Sequence, residues 1–352
     1  MDLNVEPSGN YNIYGFIVKA YGSIVNFLNE ELKYFLVENN KLSPNLIVWE
    51  TDKDSLPIKE DPLKDVYGID LKFDKEKNVF TLLYEKKTNP LWIYYLIEAI
   101  INWDDKCFLH AAGVEISKNE AIIFTGEGNV GKTKIILSLL KNKNYKFLGD
   151  DQIVVDKNGC CYPFPRKLNL YDYHLFDNLD LAKRLFGLKC FLLFFSFKII
   201  NNFLKFIKNR RLRSFLLIFK KPVRVSVQKI YPDIKIGNKS KIVQIFWLIK
   251  DTSLKEVRVL NYHNVSEFTR KIASLNILER NYFFKHYYEF CYRNEEIDVF
   301  EKKKERELEI LESCFAKSNI KIIQVPEKIS EQKMEKLLKI IMYERKNKKD
   351  IG

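Results

Sequence analysis

The feature that most constrains this chain is a glycine-rich octapeptide of the pattern G-x-x-x-x-G-K-[ST], with the sequence Gly126-Glu127-Gly128-Asn129-Val130-Gly131-Lys132-Thr133. Its glycines let the backbone turn tightly and aim N–H groups at phosphate oxygens. The lysine can reach β- and γ-phosphates, and the final hydroxyl can bind Mg²⁺. An apolar strand-like stretch, AIIFT, precedes the octapeptide, and a helix-like stretch, KIILSLL, follows it. The sequence therefore predicts a nucleotide-binding loop for ATP and Mg²⁺ that involves all eight residues.

Two adjacent acidic residues, Asp150 and Asp151, follow a second predicted strand, YKFLG, downstream of the loop. A phosphate loop needs an acid to hold its metal, and the second carboxylate could accept a proton from an attacking hydroxyl. Side chains alternate in direction along an extended backbone, so the two carboxylates need not face the same way. The alternative interpretation is a turn with two solvated acids.

His110 and Arg166 are two further candidates. His110 lies in the predicted strand before AIIFT, and Arg166 lies in the extended stretch PFPRKLNL. A lone histidine is usually a core or surface residue, so spacing alone does not give His110 a role. Arg166 could contact a phosphoryl group, although a surface salt bridge is equally compatible with its position.

The pattern of the whole chain predicts an α/β protein, α+β overall. We expect an N-terminal α+β lobe over residues 1–105 and a nucleotide-binding domain over 106–352. Periodicity predicts strands over 12–19, 107–116, 121–125, 145–149, 152–156, 223–230, 241–249 and 319–324, each as one uninterrupted strand. It predicts helices over 24–36, 90–102, 131–142, 264–279, 281–316 and 330–346.

Residues 183–224 carry twelve Lys or Arg and no Asp or Glu, in a chain of formal net charge +13. The apolar residues between them have helical spacing, which favours a basic amphipathic helical insertion over about 175–222. Such a segment could instead bind an acidic partner, a membrane surface or nucleic acid.

The six cysteines are scattered and form no CxxC pair, which is typical of reduced thiols. The first residues show no basic segment followed by an apolar core, and no apolar run reaches the ~18 residues of a membrane span. We therefore expect a cytoplasmic protein.

Together, His110 with Ala111-Ala112-Gly113, the octapeptide and the stretch FLGDD resemble the C-terminal domain of HPr kinase/phosphorylase and its relatives. The resemblance is specific over about residues 107–170. It implies a P-loop kinase core of the type shared with ATP-dependent phosphoenolpyruvate carboxykinase. It also implies a base-like role for Asp150 toward a serine hydroxyl, metal binding by Asp150 and Asp151, and a position for His110 near the reacting phosphoryl group.

Two departures make the chain resemble the divergent HPr kinase-related proteins more than the strict enzymes. Gly128 and Asn129 stand where the family usually has Ser-Gly, and Asn tolerates the left-handed backbone that glycine would adopt. The Arg-containing signature that the strict enzymes carry after the P-loop domain is not found in this sequence.

The sequence thus predicts an ATP/Mg²⁺-dependent kinase that phosphorylates a hydroxyl of a protein serine or a small molecule. A non-catalytic ATP-binding regulatory protein and a phosphoenolpyruvate carboxykinase-like enzyme are the alternatives. The pattern N-K-x-D for guanine is absent, which disfavours GTP. The acceptor and the formation of a homo-oligomer stay open.

Overall fold

The structure is a computed structural model that describes residues 9–38, 41–51, 68–171, 179–187, 223–279, 281–294, 296–326 and 331–349. It is a mixed α/β protein with several sheets. Most of the basic stretch 183–224, and most of the helical insertion expected over 175–222, lie outside the described residues. No helix within the described ranges is both long enough and apolar enough to cross a membrane.

The secondary-structure elements of the described residues are numbered in chain order. The strands are β1 (Gly9–Ile13), β2 (Phe16–Ala20), β3 (Leu46–Thr51), β4 (Ile69–Asp74), β5 (Val79–Glu85), β6 (Lys106–Leu109), β7 (Ala111–Ser117), β8 (Glu120–Gly126), β9 (Lys146–Gly149), β10 (Ile153–Asp156), β11 (Cys160–Tyr162), β12 (Leu168–Leu170), β13 (Val223–Val225), β14 (Ser240–Lys250), β15 (Arg258–Tyr262) and β16 (Asn319–Val325). The helices are α1 (Ile24–Glu31), α2 (Pro90–Ile100), α3 (Lys132–Leu139), α4 (Leu179–Phe186), α5 (Val227–Ile230), α6 (Val265–Glu279), α7 (Asn281–Arg293), α8 (Ile297–Phe315) and α9 (Glu331–Lys349).

The chain divides into two compact units, each assembled from three separate stretches. Unit 1 comprises Met1–His110, Val154–Cys160 and His263–Lys317, and unit 2 comprises Ala111–Ile153, Cys161–Tyr262 and Ser318–Gly352. The chain therefore passes between the units several times. A domain boundary at residue 105 stays a prediction.

Unit 1 contains a five-stranded sheet in the order β1-β2-β3-β5-β4, together with α1, α2 and the helices α6 to α8. Helix α2 begins with a Pro at its first position, and the Asn89 side chain accepts the backbone N–H of Leu91 at 3.0 Å, which caps the helix. The buried Lys303 of α8 donates to the backbone carbonyls of Ala99 and Ile101 at the end of α2. Helix α2 is thus capped by side chains at both ends.

Unit 2 is built on a sheet in which β8, β14 and β16 run parallel. Strand β14 lies between β8 and β16, β15 pairs antiparallel with β16, and β7 pairs antiparallel with both β8 and β9. These pairings give the order β15-β16-β14-β8-β7-β9, and β11 is a further neighbour of β14. Strands with apolar side chains on both faces need cover on both faces, and the buried residues of β8 and β14 show this pattern.

The core of unit 2 is a continuous apolar cluster that includes residues of the sheet, of α3 and of α9. Phe124 of β8 and Phe246 of β14 are paired in register, and their rings stack at a centroid distance of 5.4 Å. Both rings are buried. This pair lies at the centre of the sheet that leads into the glycine-rich loop.

Most predicted elements are present, but four of them are divided in the structure, and the helix predicted over 24–36 ends at Glu31. The strand predicted over 12–19 is a hairpin, because Tyr14 and Gly15 both have positive φ and form a tight turn. The strand predicted over 107–116 divides at His110 into β6 and β7.

The other two errors lie in the C-terminal half of the chain. The strand predicted over 223–230 is β13 followed by the short helix α5. The helix predicted over 281–316 is divided into α7 and α8, where the Asn294 side chain donates to the Phe290 carbonyl at 2.8 Å and closes the end of α7.

We predict that Phe246→Ala lowers the free energy of unfolding by about 3–5 kcal/mol, because it leaves a cavity against Phe124 in the centre of the unit 2 sheet. Phe246→Leu should cost less, since more of the volume stays filled. Chemical denaturation measures both changes. Leu260→Ala is the matched control, because Leu260 is 47 % exposed on β15 and its loss should change stability by less than about 0.5 kcal/mol. Equal effects at the two positions would contradict the prediction.

Candidate functional site

The candidate site lies at one edge of the unit 2 sheet, where the chain leaves several strands. Strands β8 and β14 are parallel, with Gly126 paired to Leu248, so their carboxyl ends meet at the same edge. Strand β9 has the same direction as β8, with β7 between them, and two strand spacings amount to ~10 Å. The glycine-rich loop and Asp150-Asp151 therefore leave the sheet side by side, as parallel α/β sheets place their ligand sites.

The loop from Gly126 to Gly131 depends on backbone conformations that glycine and asparagine accept. Gly126 has φ +144°, and a Cβ there would come within 2.4 Å of the Leu248 carbonyl oxygen. Asn129 has φ +61° and Gly131 has φ +98°. Asn129 thus adopts the left-handed backbone that asparagine tolerates. Val130 is buried in the unit 2 core, whereas Glu127, Gly128 and Asn129 are exposed.

Lys132, the first residue of α3, carries its ammonium group back into the loop. Its Nζ donates to the carbonyl oxygens of Gly126 at 2.7 Å and Glu127 at 2.8 Å, and the residue is only 4 % exposed. The first turn of α3 adds the positive end of the helix dipole and its backbone N–H groups. Positive charge is thus concentrated beneath the loop, and this arrangement can bind an anion.

The hydroxyl of Thr133 reaches the acidic pair. Its Oγ1 donates to Asp150 Oδ2 at 2.8 Å. The turn after β9 is tight enough to require Gly149, because a Cβ there would lie 2.4 Å from the Gln152 carbonyl oxygen. The structure therefore brings the predicted residues Lys132, Thr133 and Asp150 together at one edge of the sheet.

The carboxyl group of Asp150 is buried, and one of its two oxygens is not hydrogen-bonded to any residue that the structure describes. It is 3 % exposed, and its Oδ1 has no hydrogen-bond partner among the described residues. Burial and the neighbouring charge of Asp151 raise the pKa of Asp150, and they outweigh the opposing effects of the Thr133 hydroxyl and the Lys132 ammonium. Native proteins seldom leave such an oxygen unsatisfied, so this atom is suited to a ligand that supplies positive charge.

Asp151 and Arg166 are each fixed by a side chain that the sequence interpretation missed. Asp151 has φ +64°, and its Oδ2 accepts from Asn169 Nδ2 at 3.1 Å. Arg166 donates through Nη1 to Gln152 Oε1 at 3.1 Å, and both side chains are buried. Asn169 could have been found from the alternation in LNL, where a polar residue between two buried leucines of β12 must face the other way.

His110 belongs to unit 1, where it directly precedes Ala111, the first residue of β7. Its backbone N–H donates to Asn276 Oδ1 at 2.7 Å, and Asn276 Nδ2 donates to the Phe108 carbonyl at 3.0 Å. These bonds fix the break between β6 and β7 against α6. A role for the His110 imidazole near a phosphoryl group stays a prediction.

Within the part of the chain that the structure describes, no group of three or more His, Cys, Asp or Glu side chains could hold a metal ion. Mg²⁺ does not require such a cluster, because it is usually bound by one or two protein oxygens together with substrate phosphates and water. Thr133 Oγ1 and Asp150 Oδ1 fit that requirement, since both are hard oxygen donors and the two side chains are in contact next to Lys132.

Comparison of the sequence with models of known protein families gives no match. A search among curated proteins also gives no match.

We predict that Asp150→Asn stabilises the protein without nucleotide or Mg²⁺, and that the gain grows with pH. The folded-state pKa of Asp150 is about 7, above the unfolded value of ~3.9, so the folded state holds the extra proton between these values. Wild-type stability should therefore fall relative to the variant from about pH 4 to pH 7, by up to ~4 kcal/mol. Urea denaturation of both proteins at pH 4, 6 and 8 measures the difference. A difference that does not change with pH would contradict the burial of this charge.

Proposed function

We propose that the protein is an ATP- and Mg²⁺-dependent kinase that transfers a phosphoryl group to a hydroxyl acceptor, with unit 2 as a P-loop kinase core like that of HPr kinase-related proteins. One observation carries the proposal. The Thr133 hydroxyl, next to the loop-bound Lys132 ammonium, makes a hydrogen bond with the buried carboxylate of Asp150. A glycine-rich loop that only turned the chain would have no need of a buried lysine and a buried carboxyl group beside it.

The donor side of the proposed site consists of the loop and the start of α3. Backbone N–H groups of residues 126–133 would surround the β- and γ-phosphates, and Lys132 would exchange carbonyl partners for phosphate oxygens. Thr133 and Asp150 are the residues that would hold Mg²⁺. When bound, this ion supplies a positive charge that offsets the phosphate oxygens.

The acceptor side of the proposed site is assigned to Asp151. Asp150 is buried against Thr133, whereas Asp151 is partly exposed and is oriented by Asn169. A base must come within hydrogen-bond reach of the acceptor hydroxyl, which favours the more accessible carboxylate. This assignment exchanges the roles that the family resemblance implies, where Asp150 is the base.

The proposed reaction is a direct displacement. The acceptor oxygen attacks the γ-phosphorus, the new O–P bond forms as the bond to the β,γ-bridging oxygen breaks, and ADP leaves. The Asp151 carboxylate accepts the hydroxyl proton. Lys132 and the loop N–H groups stabilise the negative charge on the transferred group, which is the main contribution that such a site can make.

We predict that Lys132→Met weakens ATP binding by roughly 30- to 1,000-fold, because it removes a buried charge that contacts the phosphates. Isothermal titration with Mg²⁺ and a non-hydrolysable ATP analogue measures the loss. Lys134→Met is the matched control, since it removes the same charge two residues along α3 and should change affinity by less than about threefold. Unchanged binding in Lys132→Met would remove the basis of the proposed function.

We predict that Asp150→Asn and Asp151→Asn differ in the step that they impair. Asp150→Asn should weaken Mg²⁺-dependent nucleotide binding. Asp151→Asn should leave nucleotide binding within about threefold and slow transfer by roughly 10²- to 10⁴-fold, because it removes the base. Asn tolerates the left-handed backbone at position 151, so the variant adds no strain.

The measurements for this pair are titration with the ATP analogue and a radiolabelled-ATP transfer screen against cell-extract proteins and small hydroxyl compounds. A normal transfer rate in Asp151→Asn together with loss of transfer in Asp150→Asn would restore the base role to Asp150. ATP binding without transfer in the wild type, across the whole screen, would favour the non-catalytic regulatory alternative.

A further inference from the structure

A two-stranded sheet in unit 2 pairs Arg224 with Asn169, the residue that contacts the proposed base Asp151. Strands β12 and β13 pair antiparallel, with Leu168 opposite Val225, Asn169 opposite Arg224 and Leu170 opposite Val223. Leu168, Leu170 and Val225 face the unit 2 core. Because side chains alternate along a strand, Asn169 and Arg224 lie on the opposite face from these core residues.

Arg224 therefore lies on the face that contacts Asp151. The side chains of directly opposed antiparallel residues project to the same side, with Cβ atoms ~5 Å apart. Asn169 on this face donates to Asp151 Oδ2 at 3.1 Å. An arginine side chain reaches further than an asparagine side chain, so the guanidinium of Arg224 can reach the space beside Asp151.

Arg166 reaches the same turn from the segment that leads into β12. Gln152, the residue after Asp151, holds its guanidinium by the 3.1 Å hydrogen bond between two buried side chains. The Phe164 backbone N–H also donates to the Leu148 carbonyl of β9 at 2.7 Å, which fixes this segment against the strand that ends at the acidic pair. Two side-chain bonds and one backbone bond thus tie residues 164–169 to the turn after β9.

The positive groups around the site fall into two sets, which indicates what kind of ligand the two arginines bind. Lys132 and the loop N–H groups already provide for the nucleotide phosphates, and they belong to the turn after β8. Arg166 and Arg224 belong to the elements around Asp151, the residue assigned to the acceptor. A guanidinium group is a planar, charged donor whose geometry matches carboxylate and phosphate oxygens.

We propose that the acceptor is an anion: a hydroxyl compound or side chain that carries a carboxylate or phosphate group of its own, which Arg224 binds with the help of Arg166. This inference rests on the proposed function, because it takes Asp151 as the acceptor side of a kinase site. It adds Arg224 as a specificity-determining residue that the sequence interpretation counted only as one charge in a basic segment.

The test uses anions as probes of the acceptor side while the loop is occupied. The full-length protein is saturated with Mg²⁺ and a non-hydrolysable ATP analogue and then titrated with inorganic phosphate or with acetate. We expect a second anion to bind, and Arg224→Gln to weaken it about tenfold while the affinity for the nucleotide changes by less than twofold. Tighter binding of phosphate would identify a phosphate-bearing acceptor, and tighter binding of acetate a carboxylate-bearing one.

Two further variants make the result decisive. Arg258→Gln removes the same charge from β15, five strands away from β9 in the sheet, and should bind both anions as the wild type does. Arg224→Lys keeps the charge without the planar fork, and should give intermediate affinity if Arg224→Gln proves too unstable to assay.

Three results would overturn the inference: no anion binding to the loaded wild type, equal anion binding in the wild type and Arg224→Gln, or equal weakening of anion and nucleotide in Arg224→Gln. A failure of the proposed function is recognised separately, because the transfer screen would then give no product or the wild type would not bind the nucleotide at all. In that case inorganic phosphate is titrated into the Lys132→Met variant, whose glycine-rich loop lacks the lysine ammonium group that could itself bind phosphate. If adding Arg224→Gln to Lys132→Met weakens phosphate binding, the anion site exists although the protein is not a kinase.

Discussion

The hydrogen bond between Thr133 and Asp150 is the constraint on which the rest of the site depends. It joins the first turn of α3 to the turn after β9. The pairing of both β8 and β9 with β7 brings these two turns to the same edge of the sheet. It also fixes which of the two acidic residues meets the loop. The direction of Asp151, its contact with Asn169 and the position proposed for an acceptor follow from that choice.

The arrangement of the site lowers the free energy of unfolding, and the apolar core of unit 2 must offset this loss. The Asp150 carboxyl group and the Lys132 ammonium group are both buried, and burial of charge is unfavourable unless it is well paired. Gly126 and Gly149 permit backbone approaches that no other residue would allow. The apolar cluster around Phe124 and Phe246 carries the strands that position these groups. A site that is destabilising in the absence of ligand is expected where binding supplies the missing charge.

Much of the fold could be predicted from local patterns, because strands such as β8 and β14 and helices such as α2 and α6 have strong periodicity. The errors occur where one or two residues interrupt a continuous pattern. Tyr14 and Gly15 turn a predicted strand into a hairpin, and Asn294 divides one predicted helix into two. In each case the apolar spacing continues across the break, so periodicity alone gives no signal. The roles implied for His110 and for the basic segment 183–224 stay predictions.

The sequence by itself determined the loop, its lysine and threonine, and the presence of an acidic pair, because these residues are close together in the chain and their chemistry depends on their order. Only the tertiary structure decided how the pair is used. The left-handed backbone at Asp151 breaks the alternation that would otherwise assign a direction to each side chain. The bond from Arg166 to Gln152, the bond from Asn169 to Asp151 and the pairing of Asn169 with Arg224 join segments that are distant in the chain. Strand register decides such pairings, and it is set by the burial of apolar faces across the whole sheet.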